Sequence, residues 1–134
     1  MYPDSFNHLV ELLEQLPGVG SKTATRYAFF LLNKNNSFKE ELKESINGLN
    51  NIKKCKTCGF LSDEDECLIC KDKSRDTKTI TVVAYPSDVV ALESLGEYKG
   101  KYHVLNGLIS SSKGIFPEDI NIDSLFKRLN DVEE

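Results

Sequence analysis

The sequence predicts an α+β chain in several parts: a helical N-terminal region, a small segment organised by cysteines, and the opening of a parallel α/β sheet. Three observations carry this. Apolar residues recur at helical spacing from Phe6 to Leu32, broken by Pro17, Gly18 and Gly20. The chain's four cysteines fall as two CxxC pairs, Cys55/Cys58 and Cys67/Cys70, with eight residues between the pairs. From Thr79 onward, short β-branched runs alternate with helical stretches in the order β-α-β-α. The expected parts are residues 1–52, 53–76 and 77–134.

The first element is a helix over Ser5 to Leu16, with Phe6, Leu9, Val10, Leu12, Leu13 and Leu16 on its apolar side. Asp4 or Ser5 is the expected cap, and His8 lies on the polar side as a surface residue. Pro17 stops the helix. Gly18 and Gly20 then allow a tight turn in which bare backbone can approach a ligand. Ser21 is expected to cap a second helix with the apolar face Ala24, Tyr27, Ala28, Leu31 and Leu32.

Two helices joined by PGVG, the second of them basic, form a helix-hairpin-helix pattern suited to sequence-independent DNA binding. Turn amides and the positive N-terminal end of the second helix together hold a phosphate. Lys22 and Arg26 are four residues apart, on one helix face, where each can add a phosphate contact. The candidate DNA-binding residues are therefore Gly18, Gly20, Lys22 and Arg26. Charge supports this placement: residues 16–59 carry eight Lys or Arg against three Glu, while the whole chain is at -4. A plain structural turn is the competing reading.

A third helix is expected over Phe38 to Leu49, with Phe38, Leu42, Ile46 and Leu49 on one side. The cysteine segment follows. Two CxxC pairs across a short loop match the four-sulfur tetrahedron that Zn²⁺ accepts, with no position left for water, so the site is structural. The candidate ligands are Cys55, Cys58, Cys67 and Cys70. Such a centre carries two negative charges, and Lys53, Lys54, Lys56, Lys71 and Lys73 are expected to offset them. The run from Lys71 to Asp76 has no apolar period and reads as a linker.

Thr79 to Ala84 is a strand expected to be buried on both faces. A helix capped by Ser87 or Asp88 runs to Gly96, a left-handed stop. Tyr102 to Asn106 is a second strand, in which His103 is expected to be packed and without catalytic duty. A long loop leads to a helix capped by Asp123. Two parallel strands leave open edges, so the sheet is expected to be incomplete at Glu134, either cut short or covered by another chain. No apolar run nears 18 residues and no leader precedes the first helix, so a cytoplasmic protein without a membrane span is expected.

The segments LPGVGSKTATRYAFFLL, CKTCGFLSDEDECLIC and ITVVAYPSDVVALESLGEYKGKYHVLNGLISSSKGIFPEDINIDSLFKRL, in this order, resemble the RecR family of bacterial recombination mediators. The resemblance implies a helix-hairpin-helix, a four-cysteine zinc motif and a Toprim domain, here partial. It implies a DNA-repair factor that is not an enzyme, binds double- and single-stranded DNA, and works with RecO and RecF. It further implies a ring-like clamp, with a dimer through the N-terminal region expected at this length and a tetramer for longer family chains.

The chain departs from the pattern at two places. Toprim enzymes hold Mg²⁺ with a Glu at the end of the first strand and a later pair of acids, whereas this chain has Ala84 at the first position, with Asp88 the lone acid nearby. The family loop is replaced by Ser110-Ser111-Ser112-Lys113-Gly114-Ile115-Phe116-Pro117. The competing functions are a Mg²⁺-dependent Toprim nuclease, topoisomerase or primase fragment, and a zinc-stabilised protein-interaction module.

Overall fold

The computed structural model describes residues 1–134, the side chain of Asp131 apart. It divides into two compact units, Met1–Asn50 and Asn51–Glu134. Among the described residues no helix is long and apolar enough to cross a membrane.

The first unit holds α1 (Asp4–Glu14), α2 (Ser21–Leu32) and α3 (Asn36–Gly48). Small side chains set the packing of α2: Ala24 and Ala28 are fully buried, and an aromatic cluster of Tyr2, Phe6 and Phe29, with centroids 4.8–5.7 Å apart, closes the side. The expected caps are corrected. Pro3 precedes α1 and Gly20 precedes α2, neither giving a side-chain bond, and Asp4 and Ser21 are the first helical residues. Proline's fixed φ and missing amide suit a helix entry, and neither helix depends on a side-chain acceptor there. Asn35 does cap α3, its Oδ1 accepting from the Phe38 amide at 2.8 Å. The apolar side of α3 is not buried within this unit: Ile46 and Leu49 are about 60 % exposed.

The second unit begins with a hairpin of β1 (Lys53–Lys54) and β2 (Leu61–Ser62), antiparallel, followed by the short α4 (Leu68–Lys71). β3 (Ile80–Val83) and β4 (Lys101–Val104) pair in parallel, Ile80 opposite Lys101 and Val83 opposite Val104. The crossover is α5 (Pro86–Leu95), which ends at Gly96 with φ 70° as expected, but its N-cap is Tyr85, so Ser87 and Asp88 lie inside the helix and neither is its cap. α6 (Asp123–Arg128) follows; its N-cap is Ile122, so Asp123 lies inside the helix and is not its cap.

Burial within the sheet differs from expectation. β3 is only partly covered, with Val82 45 % exposed, whereas all four residues of β4 are buried. The reason is neighbourhood. One edge of β4 pairs with β3, and its far end is closed by the cysteine segment, the Val104 amide donating to the Cys58 carbonyl at 2.6 Å. Beside β3, the Glu134 amide donates to Lys78 O (3.1 Å) and the Glu134 carbonyl accepts from the Ile80 amide (2.7 Å). This pairing reaches only the start of the β3 edge opposite β4, the side on which a further parallel strand lies in a doubly wound sheet.

Val89, Tyr102 and Val104 form the core of this unit with Val83, Leu92 and Tyr98, and Phe60 and Ile69 of the cysteine segment join both this core and the sulfur cluster. The run from Lys71 to Asp76, expected as a linker, is bound down. Arg75 Nη1 donates to Glu93 Oε1 (3.0 Å) and to Gly100 O (3.1 Å), and Asp76 N donates to Lys99 O (2.9 Å). Lys71, Asp72, Arg75 and Asp76 have polar partners, which is why the run needs no apolar period to stay in place.

Candidate metal centre and nucleic-acid interface

The β1–β2 hairpin presents Cys55 and Cys58, and α4 presents Cys67 and Cys70, with Cys67 as its N-cap. The backbone turns each pair inward: Gly59, at φ 80°, lets its amide return to Cys55 O (2.9 Å), and Lys71 N returns to Cys67 O (3.0 Å). All four sulfurs lie within 4.8 Å of one another. Zn–S bonds of about 2.3 Å require S···S edges of about 3.8 Å in a regular tetrahedron. Cys55–Cys70 at 3.9 Å and Cys58–Cys67 at 3.6 Å match those edges.

The donor set also has the surroundings of thiolates. Backbone amides of Phe60, Cys67 and Cys70 donate to the sulfurs of Cys58, Cys55 and Cys67 at 3.3–3.5 Å. With protons alone between them, the sulfurs compete for one negative charge. Hydrogen bonds from Cys58 and then Cys70 hold Cys67 down to about 2, and the bond to Cys67 is the main cause that pushes Cys58 up to about 12. A divalent cation removes that competition by stabilising all four thiolates. The residues fit Zn²⁺ in a closed, structural centre.

Three of the five lysines expected to offset this charge pair with acids of the loop. Lys53 and Lys56 reach Asp65 at 3.4 and 3.2 Å, and Lys71 pairs with Glu64. The acidic loop between the cysteine pairs attracts them first. The cation that does approach the ligand-bearing backbone is Lys101 of β4, 7 % exposed, whose ammonium donates to the carbonyls of Ile69 (2.8 Å), Cys70 (3.1 Å) and Asp72 (2.7 Å). Cysteine spacing does not single it out. A lysine entering a buried strand was the available signal.

In the first unit, Leu16 to Val19 forms a turn closed by the Val19 amide on Leu16 O (3.1 Å), with Pro17 second and Gly18 third at φ 75°. That is the type II arrangement, which needs glycine at the third place. A Cβ on Gly18 or Gly20 would meet no atom within 4 Å, so this backbone stands open. Because Gly20 has no side chain to cap α2, the first-turn amides receive no side-chain acceptor from it. Lys22 and Arg26 are exposed one turn apart on α2, and the Arg26 guanidinium lies 5.6 Å from the Tyr27 ring centroid.

The α/β half has no carboxylate at the end of β3, where Ala84 offers only its carbonyl to the Gly107 amide at 3.1 Å. Asp88 is committed elsewhere: its Oδ2 accepts from the Tyr85 amide at 2.9 Å, closing the start of α5. His103 is packed, as expected. Its Nδ1 accepts from Arg128 Nη1 (2.9 Å), which leaves Nε2 to donate to Asn121 O (2.7 Å), and burial holds its pKa below the ordinary value.

An open glycine turn leading into a helix with two exposed cations, four cysteines placed for zinc, and an α/β unit with no carboxylate at the end of β3 together define a zinc-finger protein of helix-hairpin-helix type. Three family models match consecutive stretches: the RecR helix-hairpin-helix over residues 6–49, the RecR four-cysteine zinc finger domain over 52–72, and the Toprim domain over 78–134. The chain belongs to the RecR family, DNA-binding mediators of recombinational repair that act as non-catalytic scaffolds in the RecFOR pathway.

Proposed function

We propose that this chain holds DNA through the turn and α2 of its first unit, with the Gly18 and Gly20 backbone and the α2 amides on one phosphate and Lys22 and Arg26 on its neighbours. The observation that supports this most directly is the uncapped start of α2 opening onto a bare glycine turn beside two exposed cations. Every contact is to backbone phosphate, so double- and single-stranded DNA are both bound, without regard to sequence. Residues 1–52 serve as the DNA-binding part, residues 53–76 as the zinc staple, with Cys55, Cys58, Cys67 and Cys70 as ligands, and residues 77–134 as a Toprim platform for docking.

The chain works in the cytoplasm as part of a clamp-like oligomer with RecO and RecF. A dimer through the first unit is supported by its open groove of about 370 Å³, lined by the apolar Leu9, Leu31, Leu42 and Ile46 together with Lys39 and Lys43. Anisotropy titration of labelled duplex at several salt concentrations tests the DNA site. Replacing Lys22 and Arg26 together by Ala is expected to weaken binding to all sequences alike and to lower the slope of log K against log salt by about 1.8, the release of two phosphate contacts. Unchanged affinity and slope at low salt overturn the assignment.

A further inference from the structure

Lys101 is a buried ammonium whose three hydrogen bonds all go to carbonyls at the end of the cysteine segment. Among the described residues it is in no ion pair with a carboxylate. A buried ammonium bonded only to carbonyls is costly unless negative charge lies close by, and the Asp72 carboxylate, which feels the Lys101 charge, supplies part of it. The carbonyls it binds include that of Cys70, a zinc ligand, and that of Ile69, the residue before it. A zinc centre with four thiolates carries two negative charges there. The lysines of the cysteine segment that pair with Asp65 and Glu64 are turned to the solvent side of the loop.

We infer that Lys101 is a positioning residue for the metal centre: from strand β4 it fixes the carbonyl end of α4, and with it Cys70, and supplies the nearby positive charge that the zinc thiolates require. The same contact makes metal binding and the ordering of β4 one event. Zinc holds α4 in shape, α4 presents its carbonyls to Lys101, and Lys101 anchors the first residue of a strand buried along its whole length. The sheet side strengthens the coupling through Val104 N on Cys58 O (2.6 Å) and Asn106 Nδ2 on Gly59 O (2.9 Å). This inference stands on the zinc site and is independent of how DNA is held.

The test is zinc affinity of the full chain by chelator competition, with cobalt in place of zinc as a spectroscopic report of the thiolate field. Lys101→Met keeps the stem and removes the charge, and is expected to weaken zinc about 10–100-fold, the usual range for partners that orient metal ligands. Lys101→Arg restores the charge but cannot bring one nitrogen to three converging carbonyls, and is expected to recover part of the loss. Val89→Ala damages the same core without touching the ammonium, and is expected to leave the cobalt spectrum unchanged. Equal zinc affinity in Lys101→Met and the natural chain overturns the inference, as does a change in the cobalt spectrum of Lys101→Met that Val89→Ala reproduces. If Lys101→Met does not fold, hydrogen exchange on the natural chain decides: chelation is expected to expose the amides of 101–104 together with those of 55–71. A β4 that stays protected while the cysteine segment opens overturns it.

Discussion

Replacing Arg75 by Met removes the strongest polar tie between the segment after the cysteines and α5. Arg75 is 14 % and Glu93 30 % exposed as side chains. The guanidinium meets the carboxylate with two nitrogens, at 3.0 and 2.5 Å, and also reaches Gly100 O, while Tyr102 Oη donates to Glu93 Oε1 at 2.7 Å. A charge-assisted hydrogen bond contributes about 1.5–3 kcal/mol, and breaking a fully buried pair by removing one partner costs about 3–5 kcal/mol. Water can reach part of the Glu93 carboxylate and Tyr102 stays bonded to it, so the loss is placed at about 2–3 kcal/mol. Urea unfolding of the zinc-loaded chain, followed by circular dichroism with the metal content held constant, measures it. Lys78→Met is the comparison, because its pair with Glu133 is exposed on both sides and should be nearly silent. Were Arg75→Met as silent as Lys78→Met, the segment would be a linker after all and the reasoning from burial would be refuted.

Two glycines with nearly the same φ should respond differently to alanine. At Gly59 the new methyl falls 2.6 Å from Val104 O and 2.7 Å from Asn121 Nδ2, and a loss of about 2–4 kcal/mol in urea stability is expected; at Gly18 it meets nothing within 4 Å, so only the left-handed backbone term of about 1–2 kcal/mol remains. His103 is held neutral by burial, with its folded pKa below the unfolded value of about 6.5. Its contribution is therefore complete above pH 6.5 and is lost as pH falls from there toward the folded pKa, by up to about 1.4 kcal/mol per pH unit; unfolding midpoints of the natural chain and His103→Gln at pH 7.5 and 6 should converge as acid is added. Leu42→Glu in the apolar groove of the first unit is expected to shift the native mass toward monomer, and an unaltered oligomer places the interface elsewhere.

How much of this could be read without coordinates depended on whether the signal was local. The turn at Pro17 and Gly18 is specified by two residues whose dihedral limits leave few alternatives. Paired CxxC spacing confines four sulfurs to one small volume, and the cluster forms at the separations zinc needs. Helix caps were less legible. Serine and aspartate at a helix start are compatible with either the cap or the first turn, and the chain entered α1, α2 and α6 through Pro3, Gly20 and Ile122. Charge was the least legible, because a lysine's partner is set by which acid folds nearest. Lys53 and Lys56, close to the cysteines in sequence, went to Asp65, and the distant Lys101 took the ligand-bearing carbonyls.

The order of helices and strands outside the cysteine segment, the zinc ligand set and the family were thus contained in the sequence alone, because periodicity, turn chemistry and cysteine spacing act over a few residues, whereas β1, β2 and α4 were not read from it. Only the tertiary structure decided that β4 and not β3 is the buried strand, that residues 71–76 are bound down, and that a lysine 31 residues beyond the last cysteine closes the metal segment onto the sheet. Burial and ion pairing belong to neighbours brought together by folding, and no short window of sequence contains both partners.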